Sequence, residues 1–179
     1  MTIKYKLFAV LALLLLSSAS FAEEQSNFYL GFGTGVSIAK LDDSSTSTTA
    51  FLRGSGYDFI LGYELGKYAA IEMEYVDRRV SNSDDTVNMI FSGGGVSAVI
   101  LLPVTNTFSF FGKVGVASLN QTKPSFDSKN GASFGLGAQW TLTPKVKVRL
   151  AANSYDASAS AGVYTGRVSA LGAAVLVNF

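Results

Sequence analysis

The sequence predicts an all-β protein, an eight-stranded antiparallel up-and-down transmembrane β-barrel that follows an N-terminal signal peptide. Three features of its 179 residues indicate this fold. The chain opens with an export signal, and the remainder alternates in polarity at every second residue. The alternating segments are joined by connections that are short and long in turn. Strands of about ten residues match the thickness of a bilayer when they are tilted.

The first 22 residues have the pattern of a signal peptide. Lys4 and Lys6 precede the apolar run 7–16, and the small residues Ser20 and Ala22 permit cleavage after residue 22. The apolar run has ten residues, whereas a membrane-spanning helix needs roughly 20. We therefore favour a cleaved signal peptide at 1–22 over an N-terminal anchor, and we expect 23–179 to form one exported barrel domain.

Alternation predicts the strands and their two faces. In the first strand, Phe28, Leu30 and Phe32 alternate with Tyr29 and Gly31. The corresponding apolar faces of the following strands are Tyr57, Phe59, Leu61, Tyr63 and Leu65; Ile71, Met73 and Tyr75; Phe108, Phe110, Val114 and Val116; Phe134, Leu136, Ala138 and Trp140; Val146, Val148 and Leu150; and Leu171, Ala173, Val175, Val177 and Phe179. The stretch 87–102 is also a strand, but Gly93-Gly94-Gly95 blurs its phase and suggests a bulge or sharp bend there.

The connections alternate between tight turns and polar loops, as they do in membrane barrels. The turns fall at 66–68, 103–107 and 143–145, and the longer loops at roughly 40–55, 81–86, 120–130 and 156–164. A soluble sandwich or a lipocalin-like barrel is the alternative, with large apolar residues inside and polar residues outside. The non-apolar face is dominated by Gly, Ser and Ala, which suits a narrow lumen better than a solvated surface.

Composition excludes several classes of function. The chain has no His and no Cys, which excludes Ser-His-Asp and Cys-His catalysis, disulfides and ordinary zinc sites. A net charge of +1 without a long basic run gives no support for a nucleic-acid partner. The acidic pairs at 42–43 and 84–85 are most simply interpreted as solvated loop charge. We therefore expect no enzymatic activity, no cofactor and no metal.

Four segments, 56–65, 70–75, 111–117 and 175–179, resemble the small outer-membrane β-barrel family, the eight-stranded OmpA/OmpX-like group of Gram-negative bacteria. The resemblance implies a monomeric barrel in the outer membrane whose partners are membrane lipid and lipopolysaccharide. It also implies that Val175, Val177 and Phe179 form the signal read by the outer-membrane insertion machinery. A structural or surface role follows, in membrane integrity, adhesion or colonisation. Because nothing follows Phe179, we expect no peptidoglycan-binding domain.

The predicted phase of the strands sends several charged side chains into the lumen. They are Asp58, Glu64, Glu72, Glu74, Lys113, Lys147 and Arg149. Opposite charges in a narrow lumen should pair, because an unpaired buried charge costs several kcal/mol. One interpretation is a polar core that seals the barrel. The alternative is a narrow ion or small-solute channel, gated when the charged groups exchange partners.

The loop end of the barrel offers candidates for surface contacts. Phe51, Leu52 and Arg53 end the longest predicted loop and could meet a host or cell-surface partner or lipopolysaccharide. Cations at the outer rim could bind lipopolysaccharide phosphates; these are Arg78, Arg79, Lys123, Lys129 and Arg167. Aromatic residues are assigned to interfacial girdles: Phe28, Phe108, Phe110, Trp140 and Phe179 at the tight-turn end, and Tyr155, Tyr164 and Phe126 at the loop end.

Overall fold

The computed structural model describes residues 27–43, 49–82, 88–123, 129–159 and 164–179. Within them the chain forms eight strands. They are β1 (Phe28–Asp43), β2 (Thr49–Gly66), β3 (Ala69–Ser81), β4 (Asn88–Pro103), β5 (Phe108–Lys123), β6 (Lys129–Thr143), β7 (Val146–Ala159) and β8 (Tyr164–Asn178). The predicted signal peptide at 1–22 lies outside the described residues and stays a prediction.

The strands form a closed antiparallel barrel in sequence order, which confirms the predicted fold class. Each strand pairs with the next, and β8 returns to pair with β1 through partners such as Tyr29 and Asn178. Closure satisfies the backbone groups of every strand, so the sheet has no free edge. No helix within the described ranges is long and apolar enough to cross a membrane.

The two faces of each strand differ as the alternation predicts. Phe28, Leu30 and Ile38 are exposed on the outer face of β1, whereas Tyr29 and Ser37 are buried inside. The inner face also needs small residues, because neighbouring strands approach each other closely on the inside of the barrel. A methyl group at Gly95 would lie 2.7 Å from the carbonyl oxygen of Val116 on β5. At Gly135 a methyl group would lie 2.7 Å from the side chain of Lys113, so glycine there leaves room for that long side chain.

Short turns connect the strands at one end of the barrel. Gly66, at the end of β2, has a φ of 135°, a conformation that glycine adopts without steric cost. In the other two turns a threonine hydroxyl closes the bend. Thr105 Oγ1 accepts a hydrogen bond from the Phe108 N–H at 3.0 Å, and Thr143 Oγ1 accepts one from the Val146 N–H at 3.0 Å.

Two predicted details of the strands are wrong. The pairing of β3 with β4 runs without interruption through Gly93-Gly94-Gly95, and the irregularity in β4 lies instead between Ile90 and Phe91. Gly93 is needed because its Cβ would collide with the Ser118 carbonyl, not because the strand bends. The predicted loop at 40–55 is mostly strand, since β1 continues to Asp43 and β2 begins at Thr49. Backbone pairing continues after the apolar outer face ends.

Candidate functional site

The interior of the barrel carries a set of paired charges, and β3 supplies three of them. Glu72, Glu74 and Arg78 occupy alternate positions of this strand and are all buried. The period of two sends them to one face. Because the barrel is narrow, the side chains of Glu72 and Glu74 reach strands that are not hydrogen-bonded to β3.

Glu72 is the centre of the first cluster. Its Oε1 accepts hydrogen bonds from Tyr29 Oη at 2.5 Å and from Arg149 Nη1 at 2.5 Å. The same guanidinium donates through Nη2 to Gln139 Oε1 at 2.9 Å and lies 4.5 Å from the centroid of the Phe111 ring. One carboxylate thus joins β1, β3 and β7, and Arg149 is held by an ion pair, an amide and an aromatic face.

Glu74 is the centre of a second cluster. Its Oε2 accepts hydrogen bonds from Lys113 Nζ at 2.7 Å and from Tyr155 Oη at 3.0 Å. Lys113 lies on β5 and Tyr155 on β7, so this carboxylate also joins three walls of the barrel. All three side chains are buried.

Two further ion pairs complete the described set. Asp58 on β2 pairs with Arg78 on β3, and Glu64 on β2 pairs with Lys147 on β7. Four carboxylates therefore meet four cations inside the described part of the barrel. Three of these four ion pairs join strands that are not neighbours in the sheet. These three pairs tie non-adjacent strands together, and the four carboxylates and four cations described here carry no net charge as a set.

Buried apolar residues lie on both sides of the region that holds Asp58, Glu74 and Arg78, and the Glu64–Lys147 pair lies at the tight-turn end. Toward the tight turns these apolar residues are Tyr29, Ile60, Ala70, Val99, Leu101, Phe111 and Leu176. Toward the loops a second cluster contains Ala39, Leu52, Val80, Phe91 and Val168. Between them, a cavity beside Asp58, Glu74 and Asn153 leaves about 10 Å³ for the centre of a water-sized sphere. That is room for one water molecule.

The structure brings the predicted interior residues together. Asp58, Glu64, Glu72, Glu74, Lys113, Lys147 and Arg149 all take part in the ion pairs described above. Sequence reasoning missed Tyr29 and Gln139 as hydrogen-bond partners. Both lie on predicted inner faces, so the alternation indicated that they point into the lumen. Which groups meet across the barrel depends on the stagger of the strands.

Three other residues lie inside although they were assigned to the surface. Arg78 was predicted at the outer rim, but only 1% of it is exposed, because it shares the face of Glu72 and Glu74. Tyr155 was predicted in a girdle and is instead a buried partner of Glu74. Leu52 was predicted to contact a partner and is buried in the loop-side apolar cluster. Leu52 was misplaced because its strand end was treated as a loop, whereas Arg78 and Tyr155 were assigned to the rim without following the alternation of their strands to the loop end.

The remaining surface candidates lie on the outer face. Phe51 and Arg53 are exposed, as are Arg79 and Arg167. At the tight-turn end the aromatic rings meet in pairs: Phe28 with Tyr63, and Phe108 with Phe110 and Trp140. In the predicted insertion signal Val175 is exposed, and Val177 and Phe179 are half-buried. Phe126 and the side chains of Lys123, Lys129 and Tyr164 lie outside the described part.

Among the described residues, no group of three or more Asp or Glu side chains is placed to hold a metal ion. The carboxylates of the interior face cations instead. Hydrogen-bonded ion pairs govern the electrostatics of the described interior.

A closed barrel with an apolar outer face and a polar interior defines the class of integral outer-membrane β-barrel proteins. The chain belongs to the outer membrane protein beta-barrel domain family, whose model matches residues 8–179. It is accordingly a protein of the outer membrane. No match was found among curated protein sequences.

Solved structures show the same fold. The chain is similar to Neisserial surface protein A, with a TM-score of 0.70 at 15% identity, covering 88% of this chain and 100% of that one. It is also similar to the outer membrane protein OprG from Pseudomonas aeruginosa, with a TM-score of 0.54 at 12% identity over 87% and 98% of the two chains. Ail, the attachment invasion locus protein of Yersinia pestis, gives 0.50 at 14% identity over 86% and 99%.

Proposed function

We propose that this protein is a non-enzymatic outer-membrane barrel with a closed interior, and that it acts as a structural or surface-interacting component of the membrane. In this role its outer face contacts lipid, its loop end meets a partner at the cell surface, and its lumen carries no solute. Membrane integrity, adhesion and colonisation are the activities such a barrel serves. The name of Ail, the attachment invasion locus protein, agrees with a surface role.

The observation that carries the proposal is the arrangement of charges and apolar residues along the interior. Ion pairs between non-adjacent strands occupy the middle, with one buried apolar cluster toward the tight turns and another toward the loops. An ion that entered would have to displace Phe91 and Leu52 and then separate Glu72 from Arg149. Separating a buried ion pair leaves uncompensated charge, which costs several kcal/mol.

The alternative is a narrow channel gated by exchange of these partners, and one feature favours it. Glu72 Oε2, Glu74 Oε1 and Arg78 Nη1 are buried and have no hydrogen-bond partner among the described residues. Each cluster therefore has unused hydrogen-bonding capacity. Exchange of a cation between the two carboxylates would use these oxygen atoms.

Single-channel conductance in planar bilayers separates the two functions. The mature protein and the Glu72→Lys variant are measured side by side, with Glu72→Arg combined with Arg149→Glu as the matched control that restores an opposite pair. We expect no current steps from the wild type or from the double variant with the exchanged ion pair. Discrete current steps in the wild type whose size or ion selectivity changes in Glu72→Lys would refute the closed interior and establish the channel.

A series extends the test to charge reversal at Glu74, Lys113 and Arg149. If the charged groups only seal the barrel, each reversal destabilises it without creating ion selectivity. If they gate a channel, each reversal changes conductance while the barrel still folds. The electrophoretic mobility of the unheated protein shows in each case whether the barrel has formed.

A further inference from the structure

Three buried polar atoms beside the interior cavity have no hydrogen-bond partner among the described residues. They are Glu74 Oε1, Arg78 Nη1 and Asn153 Oδ1. All three residues line the cavity, and each is more than nine-tenths buried. A polar atom that is buried without a partner loses the hydrogen bonds it makes to water in the unfolded chain, and this loss is costly. The three atoms therefore indicate a site for a hydrogen-bonding ligand.

The ion pairs of the interior use the other polar atoms of the two charged groups. Glu74 binds both Lys113 and Tyr155 through Oε2, which leaves Oε1 for another donor. Arg78 donates to Asp58 through Nη2, and its Nη1 and Nε remain. The cavity is thus bordered by two oxygen atoms that accept hydrogen bonds and by a guanidinium group that donates them.

The size and the charge of the cavity select the ligand. About 10 Å³ is accessible to the centre of a water-sized sphere, so the ligand has a single non-hydrogen atom. Three cationic side chains line the cavity and disfavour a cation there. Two carboxylates and an amide oxygen also line it and disfavour an anion. A neutral molecule that donates two hydrogen bonds and accepts at least one satisfies both conditions, and that molecule is water.

We propose that this cavity is a binding site for one water molecule, which donates to Glu74 Oε1 and Asn153 Oδ1 and accepts from Arg78 Nη1. Three hydrogen bonds are the usual number for a buried water. The water joins the Glu74 cluster to the ion pair of Asp58 with Arg78. Side chains from β2, β3, β5 and β7 then belong to one hydrogen-bonded network.

The inference rests on the closed interior proposed above and deepens it. Glu74 Oε1 and Arg78 Nη1 provide the unused hydrogen-bonding capacity that favours the channel, and a bound water uses that capacity. The buried apolar clusters toward the turns and toward the loops separate the site from bulk solvent. The water is therefore expected to exchange slowly.

The test is nuclear magnetic resonance of the mature protein in phosphatidylcholine nanodiscs, measuring cross-relaxation from water to methyl protons. A long-lived water gives laboratory-frame and rotating-frame Overhauser effects of opposite sign, whereas rapidly exchanging water does not. The methyl group of Ala174, which lines the cavity, should show this long-lived contact. The methyl groups of Leu52, in the apolar cluster toward the loops, should show no contact with water.

Two variants remove the site, and a third is the matched control. Ala151→Val fills the cavity from β7 and should abolish the effect at Ala174. Asn153→Leu removes one acceptor, adds apolar volume and should give the same loss. Ala152→Val changes the next residue, which is exposed on the outer face, and should leave the effect unchanged. The electrophoretic mobility of the unheated protein shows which variants have folded, and either filling variant suffices.

The outcomes separate the water site from the closed interior. If the wild type shows no long-lived contact at Ala174, or if the contact persists in a folded filling variant, the water site is refuted and the closed interior stands. If water also contacts the methyl groups of Leu52, the lumen holds a continuous water column, and the closed interior is refuted together with the single-molecule site.

Discussion

Removing Arg149 tests whether the interior is as dry as its packing indicates. Only 3% of Arg149 is exposed, and the Arg149→Met variant would leave Glu72 with Tyr29 as its only described hydrogen-bond partner. Removing one member of a buried ion pair costs about 3–5 kcal/mol, because the remaining charge is no longer compensated. We expect a loss of that size in the free energy of unfolding.

A second variant shows whether the loss comes from unpaired charge. Combining Glu72→Gln with Arg149→Met removes both charges and should recover most of the stability, since paired charges replaced by neutral groups can be nearly neutral in effect. Arg167→Met provides the matched control. Arg167 forms an exposed ion pair with Asp156, and such a pair contributes about 0–1 kcal/mol.

The assay is reversible denaturant unfolding of the barrel in phosphatidylcholine vesicles. Trp140 is the only tryptophan, and it lies on the outer face, so its fluorescence reports contact with lipid. Midpoints and slopes then give the free energy of unfolding of each variant. If Arg149→Met costs no more than Arg167→Met, the interior is hydrated and the argument for a closed lumen fails.

Two further predictions test the wall and its assembly. Gly95→Ala should destabilise the barrel by about 1–3 kcal/mol, because its methyl group meets the Val116 carbonyl. In Gly94→Ala the nearest atom is 3.4 Å away, and the free energy of unfolding should change by less than about 0.5 kcal/mol. Denaturant unfolding measures both variants, and equal losses would contradict the assignment of Gly95 to the inner face. Phe179→Ala should lower the fraction of folded barrel in outer-membrane preparations. The control is Phe110→Ala, which changes an exposed aromatic residue at the same end and should not lower that fraction. Equal yields of the two variants would show that Phe179 is not part of the insertion signal.

Alternation predicted most of this fold because a membrane barrel places every second residue in one of two opposite environments. The outward Leu30 and the inward Glu72 follow from their positions in the strands. Strand ends were less predictable. At Leu52 and Arg78 the outer face is already polar, so the contrast that identifies a strand is lost although backbone pairing continues.

The partners inside the barrel could not be predicted from alternation. That Glu74 meets Lys113 and Tyr155 depends on the stagger between strands, which the sequence of one strand does not contain. Charge balance supplied only the weaker expectation that acids and bases would pair. Arg78 completes that balance, and its absence from the predicted set followed from assigning it to the rim.

Arg78 and Arg79 show how the barrel wall gives neighbouring residues different functions. Arg78 is buried against Asp58, so its charge is compensated within the protein and contributes to cohesion. Arg79 is 73% exposed on the outer face, and its carboxylate partner lies 3.8 Å away. Because the wall separates the two side chains, the compensation of Arg78 inside the barrel leaves the guanidinium of Arg79 exposed on the outside. Neighbouring residues of one strand therefore contribute either to cohesion or to the outer surface, according to the face on which they lie.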